Sequence, residues 1–294
     1  MCGISGILLK TTSNNQFLPR IIKLMTNKLK HRGPDDEGYS LFNLSNFNFI
    51  TAGSGDTDEK SWNANFKHSP KDRIEDISGN YHLGFGHRRL SVIDLSEASH
   101  QPICDETGKI WLTLNGEIYN FRDIKNELIN EGYNFFSKGD SEVLLKAYKH
   151  WGFECFSKFD GMWSFVIYDI DKNILLGSRD RFGVKPLYYY SDDNYFAFAS
   201  EHKALLEIPE IKTSVNYNEV INYLYFNKIE VDNTGIFENI FELPPSHYFI
   251  FDLTNNEMSI KKYYTLNFNS QIENFSKSKY DFYTNKVNEL ITKS

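Results

Sequence analysis

The second residue carries the sharpest chemistry in the sequence. Met1-Cys2-Gly3 opens the chain, and cysteine is small enough that removal of the initiator methionine is expected. Cys2 would then hold a thiol and a free α-amine, a nucleophile and its base on one residue. An α-amine titrates near ~7.8 and a thiol near ~8.5, so passing the thiol proton to the amine costs only ~1 kcal/mol. At pH 7 roughly a tenth of such an amine is already neutral. A cysteine here is a weak motif when taken singly, so its neighbours in the sequence decide its meaning.

Five further segments combine polar groups with glycine in short runs. His31-Arg32-Gly33-Pro34-Asp35-Asp36-Glu37-Gly38 is a dense turn. Gly86-His87-Arg88-Arg89-Leu90-Ser91-Val92-Ile93-Asp94-Leu95-Ser96 puts two arginines at the end of a strand signal. Leu114-Asn115-Gly116-Glu117-Ile118-Tyr119-Asn120 aligns an amide, a glycine and a carboxylate. Gly139-Asp140-Ser141-Glu142 opens a helix with an acid. Arg179-Asp180-Arg181-Phe182-Gly183-Val184-Lys185-Pro186-Leu187-Tyr188 completes the set. Each has an ordinary reading by itself. Arg88 and Arg89 could be surface ion-pairing residues, Asn115-Gly116 a hairpin turn, Glu117 a solvated acid and Asp140 a helix cap. His31 and His87 read as structural, Arg179-Asp180-Arg181 as an ion network, Gly183 as a turn, and Cys104 and Cys155 as ordinary thiols.

Together with Cys2, and in this order, the segments closely resemble the glutamine-hydrolysing asparagine synthetases. The match is to their N-terminal class II glutamine amidotransferase domain, an N-terminal nucleophile hydrolase, and it covers residues 2 to 266. The resemblance implies that Cys2 attacks the side-chain amide of glutamine. Asn115, through its side chain, and Gly116, through its backbone N–H, would form the oxyanion hole, where a lost donor costs about 3 kcal/mol. Arg89 would pair with the substrate α-carboxylate. Glu117 and Asp140 would hold the α-ammonium, and the backbone of Leu90 and Val92 would touch the ligand. Water then hydrolyses the glutamyl thioester, with the α-amine as acid and base, to give glutamate and ammonia. Arg88 stays a surface ion-pairing residue in this scheme.

Those side chains need a scaffold, and the residue pattern predicts one. Ile4 to Leu9 reads as a strand, followed by a polar turn. Leu18, Ile21, Ile22, Met25 and Leu29 recur at helical spacing up to the Gly33-Pro34 stop. Residues from about 43 to 80 are rich in Asn, Ser, Gly, Asp and Lys and read as an inserted surface loop. Strands return at Leu83 to His87 and Trp111 to Leu114. Two helices follow, one capped by Asn120 and stopped at Gly132, the other capped by Asp140 or Ser141 and stopped at Gly152. Met162 to Tyr168, Ile174 to Ser178, Leu187 to Tyr190 and Tyr195 to Ala199 are strands separated by turn residues. A helix near Asn218 to Phe226 and a hairpin near Phe241 to Phe251 continue the domain. Antiparallel strands with helices in separate blocks are an α+β pattern. The resemblance implies the particular form, a four-layer αββα sandwich of two antiparallel sheets, with the site at the sheet edges near residue 2.

Composition narrows the partners. The chain has 294 residues, 40% hydrophobic and 24% charged, which places it among ordinary soluble globular proteins. A net charge of −7 argues against nucleic acid or an anionic membrane as the main partner. Three scattered cysteines make neither a disulfide framework nor a metal pair. No signal peptide or run of ~18 apolar residues is present, so a cytoplasmic location is expected. Asn43-Leu44-Ser45 matches a glycosylation acceptor by chance.

The chain departs from the family in the 43–80 insert and in the synthetase half. The resemblance implies a C-terminal domain that activates aspartate with ATP and magnesium and receives the ammonia. No Ser-Gly-Gly-x-Asp-Ser pyrophosphate loop occurs in this sequence. Residues 267–294 therefore read as a linker and the first helix of a synthetase domain missing here. No cofactor is expected in this chain, and ATP and Mg only in that missing domain. Glutamine and the synthetase domain, in cis in the family, are the expected partners, and a homodimer is open. Two other readings stand beside this one: a catalytically silent module that binds glutamine or a partner, and an amidotransferase for a different acceptor.

Overall fold

A computed structural model describes residues 1–11, 17–209, 211–227, 235–268 and 274–293. The turn expected after the first strand and the middle of the expected 267–277 linker lie outside the described residues. The chain divides into two units, Met1–Tyr264 and Thr265–Ser294. The first unit carries everything that follows. The second contains the helix α8 (Lys277–Lys293).

Two sheets build the first unit. Among the described residues the first sheet runs edge to edge as β12 (Phe241–Glu242), β10 (Tyr188–Ser191), β11 (Tyr195–Ala199), β1 (Gly3–Leu9), β5 (Leu83–Arg89), β2 (Asp36–Asn43), β3 (Asn48–Gly53) and β4 (Asp72–Arg73). The second runs as β14 (Glu257–Lys262), β13 (His247–Asp252), β9 (Ile174–Arg179), β8 (Gly161–Asp169), β7 (Ile110–Ile118) and β6 (Ile103–Cys104). Described neighbours pair antiparallel except β3 with β4.

Three apolar layers define the stacking. Ile4 and Leu8 of β1 share a core with Phe85 and Phe198 of their own sheet and with Trp111, Val166 and Phe249 of the other, so the two sheets lie face to face. Ile7 and Leu9, one residue out of phase, pack instead on α1 (Leu18–Asn27) and α6 (His202–Leu205) through Leu18, Ile22, Met25 and Leu205. Burial on both faces is why β1 is a continuous apolar run. Leu112 and Leu114 of β7 meet α3 (Phe121–Asn130), α4 (Asp140–Trp151) and α5 (Cys155–Lys158) through Ile124, Leu144 and Phe156. Helix, sheet, sheet, helix is the expected four-layer sandwich. Each fully buried Leu, Ile or Phe contributes ~1.5–3 kcal/mol to it. The short α2 (Glu59–Asn63) and α7 (Tyr217–Phe226) complete the described α-helices of this unit.

Three local expectations change. The 43–80 stretch is not a plain loop: it contains β3, α2 and β4. β3 is hidden in composition by the Asn, Ser and Gly around it, but Phe42 opposite Phe49 and Leu41 opposite Ile50 pair it to β2. The hairpin expected at 241–251 does not form. Phe241–Glu242 joins β10 in the first sheet, whereas His247–Asp252 joins β9 and β14 in the second. Asn115-Gly116 is no turn either; both residues lie inside β7, paired with Ser164 and Trp163.

Candidate active site

Period-two alternation sorts the site residues before any side chain is considered. On β5, Gly84 and Gly86 lie under α1, against Ile22 and Thr26. Arg88 shares their face. Phe85, His87 and Arg89 point the other way, toward the second sheet, where His87 Nδ1 meets Thr113 Oγ1 at 3.0 Å. On β7, Leu112, Leu114 and Ile118 face the helices. Trp111, Thr113, Asn115 and Glu117 alternate with them and face the first sheet. Arg89 and the Asn115–Glu117 pair therefore meet at the open end of the space between the sheets.

Cys2 stands at the mouth of that space, one residue before β1. Its sulfur lies 3.4 Å from the Leu90 N–H and 3.7 Å from the Leu90 carbonyl. Burial pushes the thiol pKa up, and the Leu90 contact, the N-terminal charge and Arg89 oppose that push. Arg32 fixes the main chain: its Nε donates to the Cys2 carbonyl at 2.9 Å and its Nη1 to Glu201 at 2.8 Å. Burial disfavours a charged Glu201, but Arg32, Lys203 and His31 outweigh it and bring the carboxyl down to about 2. Gly33 explains the turn beside Arg32. A Cβ there would stand 2.4 Å from the Arg88 carbonyl, so only glycine lets the turn pack on β5.

Arg89 is 7% exposed and donates to the carbonyls of Asp94 and of Ser96, the latter at 3.2 Å. Two of its five N–H groups are thus engaged, leaving donors for a ligand. Asp94 in turn accepts from Ser96 N, Ser99 Oγ and Lys138 N at 2.8 to 2.9 Å. Burial opposes its charge, but those donors hold its carboxyl at about 2. Asp94 so ties the 90–99 loop to the turn before α4. Asp140 is the first residue of α4, with Gly139 as the N-cap. Its Oδ2 accepts from Ile118 N at 2.9 Å, which binds the helix start to the end of β7. Burial raises the Asp140 carboxyl to about 6, with Glu117 adding to the rise and backbone N–H groups opposing it.

Asn115 is fully buried; its Nδ2 is 3.5 Å from Ser164 Oγ and its Oδ1 has no partner. Turning the amide by half a rotation lets Ser164 donate to Oδ1 and frees Nδ2 as a donor. A Cβ at Gly116 would stand 2.4 Å from the Met162 carbonyl and 2.6 Å from Trp163 Cα, so glycine keeps β7 against β8 here. The eight residues singled out from the sequence, Cys2, Arg89, Leu90, Val92, Asn115, Gly116, Glu117 and Asp140, all line one cavity of about 200 Å³. It has cations, carboxylates and a thiol on its walls.

A family model described as "Glutamine amidotransferase domain" matches residues 51–264. The chain belongs to that family. Asparagine synthetase 3 of Bacillus subtilis, a glutamine-hydrolysing enzyme by name, is 34% identical to this chain over 280 residues, 94% of this chain and 38% of the relative. A Gibberella zeae protein named Amidase chry2 is 36% identical over 174 residues, 59% of this chain and 25% of that one. The chain thus spans less than half the length of these relatives. The structure of glutamine phosphoribosylpyrophosphate amidotransferase from Bacillus subtilis, complexed with ADP and GMP, superposes with a TM-score of 0.61 over 89% of this chain and 49% of that one, at 18% identity. That likeness shows the shared N-terminal nucleophile hydrolase fold.

Several residues of the amidotransferase domain's cavity escape the sequence reading. Asp94, Ser99, Gln101 and Lys185 also line it. Gln101 Oε1 accepts from Leu114 N at 2.8 Å and steadies β7 beside Asn115. Asp94 and Lys185 sit in segments the sequence does flag, but nothing local says which way they point. Arg88 requires a correction. It is no surface ion-pairing residue but is 1% exposed, and its guanidinium meets Glu37 at 2.7 Å and Asp56 at 2.9 Å. Alternation on β5 turns it beneath α1, where a charge must be paired. Asp140 is not the N-cap of its helix, because Gly139 takes that position and frees the carboxylate for Ile118. His31 and His87 lie outside the cavity lining. Burial drives His87 down to about 3, which keeps its ring neutral.

Proposed function

We propose that this domain hydrolyses glutamine to glutamate and ammonia through a thioester on Cys2. The observation that carries the proposal is that Cys2, Arg89, Asn115, Glu117 and Asp140 line one cavity together. Arg89 supplies an anion-binding pole, and Asp140 with Glu117 supplies a cation-binding pole. Between such poles a free α-amino acid is oriented by its own carboxylate and ammonium, and a peptide-bound glutamine has neither group to offer.

Removal of Met1 gives Cys2 its α-amine. The amine takes the thiol proton, and the sulfur attacks the side-chain amide carbon of glutamine. The carbonyl electron pair moves to oxygen, where Asn115 Nδ2 and the Gly116 N–H are the donors for the oxyanion. The ammonium returns the proton to nitrogen as the C–N bond breaks, so ammonia leaves and a glutamyl thioester remains. Water, deprotonated by the same amine, attacks the thioester; the C–S bond breaks and the thiol is restored with release of glutamate. Leu90 and Val92 border the substrate through their backbone.

The ammonia serves amide formation by a synthetase domain, with aspartate as the acceptor suggested by the asparagine synthetase relatives. One relative is named an amidase rather than an asparagine synthetase, which supports a second reading in which aspartate is not the acceptor. ATP and magnesium belong with the synthetase half of the resembled proteins. Among the described residues no group of three or more His, Cys, Asp or Glu side chains could hold a metal ion. The test is glutamate release by the purified chain and by Cys2→Ala, with intact mass showing loss of Met1. Release that depends on Cys2 supports the proposal. Equal, negligible release from both, in a chain that has lost Met1, overturns it in favour of a silent glutamine-binding module.

A further inference from the structure

The loop between β9 and β10 delivers a cation to the cavity that the proposed mechanism leaves unused. Asp180 is fully buried and accepts from the N–H groups of Phe182, Val184 and Lys185, each at 3.0 Å. Arg179 crosses the loop from the other side. It donates to the carbonyls of Lys185 and Gly183 at 2.8 Å and pairs with Glu242 at 2.7 Å. Gly183 has φ +68°, the left-handed conformation that completes this wrap. The backbone of Lys185 is thereby held on both sides, and the side chain goes inward. Lys185 is 5% exposed and lines the cavity with Cys2 and Glu117.

The ammonium of Lys185 makes no hydrogen bond or ion pair among the described residues. The same is true of the Glu117 carboxylate in the same cavity. The ammonium thus faces the cavity rather than a protein partner, where it is available to negative charge that forms inside. Burial lowers the Lys185 pKa, with Glu117 holding it up, Arg32 lowering it further and Cys2 raising it. Cys2 lines the same cavity as this cation. The charged groups that act most strongly on the sulfur are the Met1 α-amine, Arg89 and Asp140.

We propose that Lys185 is a positioning residue of the glutaminase site, whose ammonium stabilises negative charge as it develops at Cys2, first on the thiolate and then on the tetrahedral glutamyl adduct. This rests on the glutaminase reading, but its first half can be measured without substrate. Cys104 and Cys155 are buried, so alkylation by iodoacetamide reports on Cys2. In the Met1-free chain, Lys185→Met should move the pH midpoint of Cys2 alkylation up by about one pH unit, making alkylation roughly tenfold slower at pH 7. With glutamine, kcat should fall by a similar factor while KM changes less than about twofold, the split expected for an interaction made only as charge develops. Lys185→Arg should restore both, and Lys185→Gln replaces the methionine variant if that one folds poorly. An alkylation profile unchanged in the methionine and glutamine variants overturns the proposal, as does an arginine variant as impaired as they are. Wild-type chain that alkylates normally but releases no glutamate removes the glutaminase reading instead, and the alkylation profiles then still decide whether Lys185 acts on the thiol.

Discussion

Asp140→Asn should make the protein more stable and worse at binding glutamine, with the stability gain appearing only above a defined pH. Asp140 is 6% exposed and its carboxyl titrates at about 6 rather than an ordinary aspartate's 3.8, chiefly because burial disfavours its charge. The folded state therefore holds this proton where the unfolded chain has lost it, between about pH 4 and pH 6. Stability falls across that window as pH rises. Two pH units of difference correspond to about 3 kcal/mol, the upper bound on the cost of the ionised group at pH 8. Asparagine can still accept from Ile118 N but carries no charge. The variant should match wild type near pH 4 and exceed it by about 1–3 kcal/mol at pH 8. Urea unfolding at the two pH values measures this directly. Glutamine should reverse the order, because its ammonium compensates the carboxylate: added at pH 8, it should raise the unfolding midpoint of wild type and hardly move that of the variant. A variant no more stable at pH 8 than at pH 4, relative to wild type, would refute the burial argument. Equal stabilisation of both by glutamine would remove Asp140 from the ammonium pole.

Two further expectations test the site and its support. Asn115→Ala should lower kcat for glutamine hydrolysis by ~10²–10³ with a much smaller change in KM, if its donor serves the oxyanion as proposed; steady-state kinetics will show whether the loss falls on kcat. Arg88→Met should destabilise the fold by about 3–5 kcal/mol, since it leaves the 1% exposed Glu37 without its cationic partner. Denaturant unfolding tests this, and adding Glu37→Gln to the same chain should recover much of the loss.

Much of the fold was legible because its signals are local. The apolar run of β1, the 18-21-22-25-29 spacing of α1 and the strands from Met162 to Ala199 all lie near their predicted places. β3 was not legible, since Phe49 to Ala52 becomes a strand only through its pairing with β2, and surrounding polar residues dilute the pattern. The segment from Phe241 to Phe251 departs from its local pattern for a related reason. Two short extended pieces close in sequence suggest a hairpin, but each finds its partner in a different sheet, and no local feature encodes that choice.

For the site the division is similar. The sequence by itself determined the chemical inventory: a thiol at residue 2, an arginine, an Asn-Gly-Glu run and an acid at a helix start. These residue types in this order point to one family and one substrate class. Tertiary structure decided which of two adjacent arginines faces the cavity, because a strand turns alternate residues to opposite sides. It set Arg88 into a buried ion pair and Arg89 beside Cys2. It also brought Asp94 and Lys185 into the cavity wall and raised Asp140 by burying it. Such properties depend on what lies across a gap between two sheets, and residues far apart in the chain meet there only after both sheets have stacked.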